Sequence, residues 1–412
     1  MRFFPVTKMS PRASFVVGLR GFVHGRGMRP LIAFAALLVS SWSLHAADVA
    51  APLPGAVQTL PDGLYAEIVT PRGIITAELF YTQTPLTVTN FVGLAEGTLG
   101  PKKGTPFFNG LKFHRVVPGF VVQGGDPLGT GEGGPGYEFP DEFVPGLRHD
   151  AAGVLSMANS GPDTNSSQFF ITLSAVNRLN YLHSVFGRVK RGIEVLPLIQ
   201  PNDVMTAVNI RRVGAAAQAF RADQAAFDQL AGAAKKFSAA KEPGPKANFD
   251  DPDQVLPIDP PRALGFQRKL ANYERATGMK IYARVLAKFT PETSRQRAGA
   301  LAGSLAKNMG LPASAVLAVY FVDTAQWGLW IGDDALPKFI GHPGTAKDLT
   351  ADGALHQAKQ DFLTAAQAQA DIYTADAIKS AAPDKPITAG QKVKYKVDAV
   401  LDSLIVKFEP KS

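Results

Sequence analysis

Phe113-His114-Arg115-Val116-Val117-Pro118-Gly119-Phe120-Val121-Val122-Gln123-Gly124-Gly125-Asp126 is the stretch whose reading decides the fold. Two apolar runs flank Pro118-Gly119, a dipeptide that marks a turn, so the segment reads as two strands joined there. His114, Arg115, Gln123 and Asp126 interrupt it with polar groups. A guanidinium is costly to bury without a partner. Arg115 is therefore either a solvated residue of a surface strand or a working group with its partner nearby. Gln123, eight residues on in the facing strand, lets an amide brace that guanidinium.

Two further stretches decide between those readings. Ser156-Met157-Ala158-Asn159-Ser160-Gly161-Pro162-Asp163-Thr164-Asn165-Ser166-Ser167-Gln168-Phe169-Phe170-Ile171-Thr172 sets a polar loop between short apolar runs, and Leu179-Asn180-Tyr181-Leu182-His183-Ser184-Val185-Phe186-Gly187 follows. Together with the first stretch, and in this order, they resemble the cyclophilin family of peptidyl-prolyl cis/trans isomerases from about Leu60 to Val213. The resemblance implies an all-β, closed, eight-stranded antiparallel barrel capped by two helices.

The residues themselves fit such a barrel. Strand-like runs occupy Leu64–Thr70, Gly73–Phe80, Leu111–Val116, Phe120–Gly124, Val154–Ala158, Gln168–Leu173, Val185–Val189 and Val204–Val213. Thr84 before Pro85 reads as the N-cap of a helix carrying Val88, Phe91, Val92 and Ala95 at helical spacing, and Gly97 as its stop. Gly192–Leu196 reads as a helical turn that Pro197 ends. Gly129-Thr130-Gly131-Glu132-Gly133-Gly134 formally satisfies a dinucleotide fingerprint, but Pro135-Gly136-Tyr137 follows where a helix must open. A glycine-rich loop at the barrel rim is the better reading.

Beyond the barrel, residues 214–240 are Ala-rich and helical, and Lys241–Arg262, with six prolines, reads as a semi-rigid linker. The remainder, 263–412, reads as a separate α/β accessory domain. Its expected helices are Phe266–Thr277, Pro291–Asn308, Ala354–Ser380 and Val393–Phe408, and its strands Lys280–Ala287, Val316–Val322 and Gln326–Ile331. It faintly resembles the TPM-type (thylakoid-lumen-phosphatase-like) module at Thr277-Gly278 and Gly332-Asp333-Asp334. Asp323, Asp333 and Asp334 offer clustered oxygens suited to calcium, against the commoner reading of metal-free turns.

Composition narrows the function classes. The 412-residue chain has no cysteine, which excludes disulfides, thiolate metal sites and cysteine nucleophiles. Its net charge of +8 includes six basic residues and no acid within 1–46. Without them the charge is about +2, too balanced to argue for a nucleic-acid partner. Those residues read as a secretory signal: Met28-Arg29-Pro30, an apolar run from Leu31 to Leu44, then small residues at Ala46-Ala47. Met28 is an alternative start, and an uncleaved anchor is the rival reading. The expectation is an exported, periplasmic protein with no stable membrane span once the signal is removed.

The resemblance implies the chemistry. Arg115 corresponds to the catalytic donor. Phe120, Val121, Phe170 and Leu179 correspond to the pocket for the proline ring, although Phe120 and Phe170 read equally well as barrel core from the sequence alone. Gln123, Ala158, Asn159 and Gln168 correspond to groups that bind the peptide backbone and position Arg115, and His183 to a histidine at the rim. No cofactor or metal is implied, and the partners are proline-containing polypeptide clients. Arg178 stands where many members carry Trp, and Val121 where Met is commoner, which puts cyclosporin binding and pocket shape in doubt. The expected function is isomerisation of X–Pro bonds in exported proteins, with the C-terminal module for localisation or for binding a protein partner. A non-catalytic proline-peptide-binding module or chaperone is the alternative, and a phosphatase-like activity of the C-terminal part a third reading.

Overall fold

The computed structural model describes residues 59–237, 242–381 and 384–410. The signal-like segment 1–46 lies outside them. The chain opens with a hairpin, β1 (Gly63–Thr70) and β2 (Gly73–Leu79). Helix α1 (Pro85–Glu96) follows where Thr84-Pro85 predicts it. The Thr84 hydroxyl, however, donates to the Phe80 carbonyl (3.1 Å) and caps nothing. The Leu86 and Thr87 amides donate instead to Glu142, at 3.2 and 2.9 Å. A carboxylate at a helix N-terminus satisfies two orphan donors and suits the helix dipole, so it displaces the weaker local cap. Gly97 ends α1 in the left-handed region, φ 74°, and a Cβ there would stand 2.6 Å from the Thr105 backbone.

Six strands complete the first sheet: β3 (Arg115–Val117), β4 (Val121–Gly124), β5 (Val154–Met157), β6 (Phe169–Thr172), β7 (Val185–Arg191) and β8 (Ala207–Val213). All eight pair antiparallel in the order β3-β4-β6-β5-β7-β2-β1-β8. The sequence reading expects full closure. The edges meet instead at one isolated bridge, Lys112↔Val204, beside the bonds Phe113 N to Asp203 O (2.9 Å) and Met205 N to Leu111 O (2.8 Å). Inside the sheet, Val122, Leu155, Phe169 and Ile171 pack with Phe91, Val92 and Phe186 in one core. Between β7 and β8 a 3-10 helix spans Ile193–Leu198 and runs through Pro197, which the sequence reading takes as its end. Its i→i+3 bonding tolerates the missing proline N–H in so short a piece.

The Ala-rich stretch breaks into α2 (Ala215–Ala219) and α3 (Gln224–Ala233), the second capped by Asp223. Phe227 on α3 edges onto Tyr137 and Phe139 and so joins the first core. The proline-rich stretch is more than a linker, because β9 (Phe249–Asp250) lies in it. The Arg284 guanidinium holds this stretch by donating to the Pro245, Ala247 and Asn248 carbonyls.

The C-terminal region then runs α4 (Arg262–Thr277), β10 (Ile281–Leu286), α5 (Ala298–Asn308), β11 (Val316–Phe321), β12 (Gln326–Ile331), α6 (Leu336–Ile340), α7 (Ala346–Thr350), α8 (Ala354–Ser380) and α9 (Ala389–Phe408). Its own sheet has the order β12-β11-β10-β9, with β10 parallel to both neighbours and β12 antiparallel. Alternation makes it the middle of three layers. Val316, Ala318 and Tyr320 face a cluster holding Leu270, Val397 and Leu404 of α4 and α9, while Leu317, Val319 and Phe321 face Leu301 and Ala302 of α5. Helix α5 begins later than the sequence reading expects, and α9 earlier, because Thr388 and Gln391 form a capping box. Among the described residues no His, Asp or Glu cluster can hold a metal, so Asp323, Asp333 and Asp334 are not brought together. Asp323 instead accepts the Phe289 and Thr324 amides.

The described residues belong to one compact unit, so the two sheets pack through a real seam. Glu409, just past α9, accepts from the Gly146 amide (2.9 Å) and the Tyr181 hydroxyl (2.5 Å) and pairs with Arg148 (3.4 Å). Asn272 of α4 donates to the Tyr181 carbonyl at 2.8 Å.

Candidate functional site

Strand register places the polar residues of the deciding stretch in one row. Arg115 is paired with Gln123, Gln123 with Phe170, and Phe170 with Ser156. Cross-strand partners share a sheet face. The neighbouring row, Val116, Val122, Ile171 and Leu155, belongs to the core side. Arg115, Gln123 and Phe170 therefore sit on the outer face, over a rigid base. This settles the ambiguity of Phe170: Phe169 and Ile171 fill the core, while Phe170 is not part of that cluster.

The row is wired by side-chain hydrogen bonds. Arg115 Nη1 donates to Gln123 Oε1 at 3.2 Å, and Gln123 Nε2 to Gln168 Oε1 at 3.0 Å. Gln168 Nε2 then donates to the carbonyls of Gly131 and Gly133, at 2.8 and 2.9 Å. The glycine-rich loop is thus an anchor for the site rather than a nucleotide cradle. Asp126 organises that loop by accepting the amides of Leu128 (2.7 Å), Thr130 (2.9 Å) and Gly131 (2.5 Å). Burial opposes its ionisation, but these bonds outweigh it and hold the carboxyl below its ordinary range. Sequence reasoning singles out Asp126 but assigns it no such role.

Around the row lie the other expected residues. Arg115 approaches the Phe120 ring at 5.8 Å from its guanidinium carbon. Phe170 is 4 % exposed, with His149 stacked against it and His183 edge-on at 5.4 Å. Val121 is buried beside this face, and Leu179 closes a 3-10 turn, Asn177–Leu179, half-buried. His183 Nδ1 meets the Met157 carbonyl at 3.0 Å, so that nitrogen carries the proton. Burial pushes its pKa down to about 4 against that bond, leaving a neutral ring. Ala158 and Asn159 line a polar groove of about 400 Å³ together with Gln123, Gln168 and the glycine loop. Asn159 is held by donating to the Leu182 carbonyl (2.9 Å) and to Asp141 (3.4 Å). Burial raises the Asp141 carboxyl to about 6 despite its hydrogen bonds.

The expected residues thus fall into linked groups: Arg115 with Gln123, Gln168 and Phe120, Phe170 with His183, His183 with Leu179 through its backbone amide, and Ala158 and Asn159 with Gln123 and Gln168 along the polar groove. Sequence reading marks Arg178 as a departure at the site but does not foresee its neighbour Tyr373. Arg178 lies over Phe120 at 4.6 Å, and Tyr373 of α8 lies beyond it. Nothing local in the sequence marks a pairing between residues so far apart.

The family described as cyclophilin type peptidyl-prolyl cis-trans isomerase/CLD matches residues 65–215. Probable peptidyl-prolyl cis-trans isomerase A of Mycobacterium leprae is 52% identical over 132 residues, covering 30% of this chain and 72% of that relative. Peptidyl-prolyl cis-trans isomerase-like 1 of Homo sapiens is 47% identical over 136 residues, 32% of this chain and 76% of its own. A solved cyclophilin type isomerase of Cryptosporidium parvum is 34% identical over 36% of this chain and 98% of its own, with a TM-score of 0.33. The chain belongs to the cyclophilin-type peptidyl-prolyl cis-trans isomerases, and is an enzyme of that class.

Proposed function

We propose that Arg115 is the catalytic donor of this isomerase and that Phe120, Val121, Phe170, Leu179 and His183 hold the proline ring. Rotation about X–Pro faces a barrier of about 20 kcal/mol, because resonance gives the C–N bond double-bond character. Twisting the bond deconjugates the amide and makes the prolyl nitrogen pyramidal, able to accept a hydrogen bond. A guanidinium aimed at that nitrogen stabilises the twisted state more than either planar isomer, which is the condition for catalysis. No bond to the protein forms, and no proton need leave it.

The observation that carries this reading is the chain Arg115–Gln123–Gln168–glycine loop. It fixes a mobile guanidinium before substrate arrives, so the ordering cost is met on folding. Gln123, Ala158, Asn159 and Gln168 take the peptide backbone along the polar groove. A binding-only module has no need of the braced donor, which disfavours the non-catalytic alternative. The edge bridge Lys112↔Val204 supports a sheet wrapped into a barrel, whose curvature spreads this outer face.

The physiological clients in this reading are exported proteins, and the protein works in the periplasm or an equivalent compartment. The signal-like residues 28–47 support it, and among the described residues no helix is long and apolar enough to cross a membrane. The test is refolding of an exported protein whose slow phase is limited by proline. The chain from Asp48 onward should accelerate that phase catalytically. An unchanged slow phase at equimolar protein, with X–Pro peptides still turned over, would sink the client assignment.

A further inference from the structure

The C-terminal region reaches the isomerase site through one stack of side chains. The Arg178 guanidinium carbon lies 4.6 Å from the Phe120 ring centre and 5.8 Å from that of Tyr373 on α8. Tyr373 is 4 % exposed, and its hydroxyl donates to Asp402 Oδ2 at 3.0 Å. Asp402 in turn binds the ammonium of Lys269, itself 1 % exposed. A buried, hydrogen-bonded carboxylate thus fixes the ring against which Arg178 rests.

Arg178 has no carboxylate within ion-pair distance and no side-chain hydrogen bond among the described residues. Its half-buried guanidinium lies over the Phe120 ring, with Tyr373 beyond. A guanidinium that meets aromatic rings and no anion still has N–H donors to offer, and its fork matches the two oxygens of a carboxylate. Phe120 is among the residues assigned above to the proline ring, so this charge stands beside the assigned ring pocket.

We propose that Arg178, positioned by Tyr373 of the C-terminal region, selects clients with an acidic side chain next to the isomerised proline. The inference rests on the site assignment above. It makes the C-terminal region a specificity element of the enzyme, acting within the same groove. Arg178 touches the client, and Tyr373 acts through Arg178.

The test compares short peptides with Glu, Gln or Lys immediately before or after proline, using the chain from Asp48 onward. Both kcat/KM, from two-dimensional exchange spectroscopy, and Kd, from titration, are measured at low and high salt. At one flanking position Glu should exceed Gln by about fivefold at low salt, the order of a part-exposed charge pair, and Lys should fall below Gln. High salt should shrink the gap. In Arg178→Gln the Glu-to-Gln ratio should fall to about one. Tyr373→Phe keeps the ring but loses its bond to Asp402 and should lower the ratio only in part, whereas Tyr373→Ala should lose it. Equal kcat/KM and Kd for Glu and Gln at both positions overturn the proposal, as does a ratio that survives Arg178→Gln. Should no peptide be turned over, the isomerase assignment fails instead, and the Kd ratio still decides the role of Arg178.

Discussion

Arg115 and Gln123 are register partners across β3 and β4, and the guanidinium donates to the amide oxygen at 3.2 Å. The proposed donor is held by its neighbour in the ladder, which is itself held by Gln168. Gln123→Ala should leave Arg115 charged but free to swing. The expected loss is about tenfold, mostly in kcat, as misplacing a preorganised group costs rate more than binding. A change confined to KM would show that Gln123 only binds substrate.

Gly133 is forced by the site. A Cβ there would lie 1.9 Å from Asp126 Oδ1, inside the carboxylate that gathers the loop. Gly133→Ala should therefore expel the loop and free the Gln168 amide. Amide exchange over residues 128–134 should speed up by at least an order of magnitude in the variant. Unchanged protection would contradict the loop's role as anchor.

The pH response follows from two neutral histidines. Burial pushes His149 down to about 3 and His183 to about 4, from 6.5. Each depressed base contributes stability that is complete above 6.5 and is lost as pH falls toward its folded value. Asp141, raised to about 6, has the opposite sign, since its contribution is lost as pH rises from about 4 through 6. The two larger shifts win, so stability should fall as pH drops from 6.5 to 4.5. Imidazole resonances of His183 should show no titration midpoint near 6.5, and no activity step should occur there on its account. A midpoint at 6.5 would mean an exposed, rotating ring.

The packing of α4 against α9 relies on a buried pair. Asp402→Ala would strand the Lys269 ammonium, which is 1 % exposed, and release Tyr373. Removing one partner of a buried pair typically costs about 3–5 kcal/mol. Denaturant unfolding should read a loss of that size. Replacing both residues by apolar ones of similar volume (Lys269→Met with Asp402→Leu) should recover most of it. No recovery would point to a structural role for the charge itself.

The candidate site was legible because its residues fall in three stretches, on β3, β4, β6 and the loops beside them, where chemistry departs from the apolar pattern. Alternation alone could not rank Phe169 against Phe170; only the register shows which faces the core. The cap of α1 was misread because Glu142, far along the chain, outcompetes Thr84. Strand β9 hid among prolines, and α6 and α7, at five residues each, are too short to show a helical period. The stack of Arg178 on Tyr373 depends on the docking of two sheets, and no local pattern encodes that.

The most direct test of the account is the X–Pro exchange rate of a neutral peptide with the chain from Asp48 onward and its Arg115→Ala and Arg115→Lys variants. Removing a preorganised donor should cost kcat/KM about a hundredfold or more. Lys, a point charge without the fixed fork, should restore little of it. A folded Arg115→Ala protein that keeps wild-type turnover would contradict the central claim that this guanidinium drives the rotation.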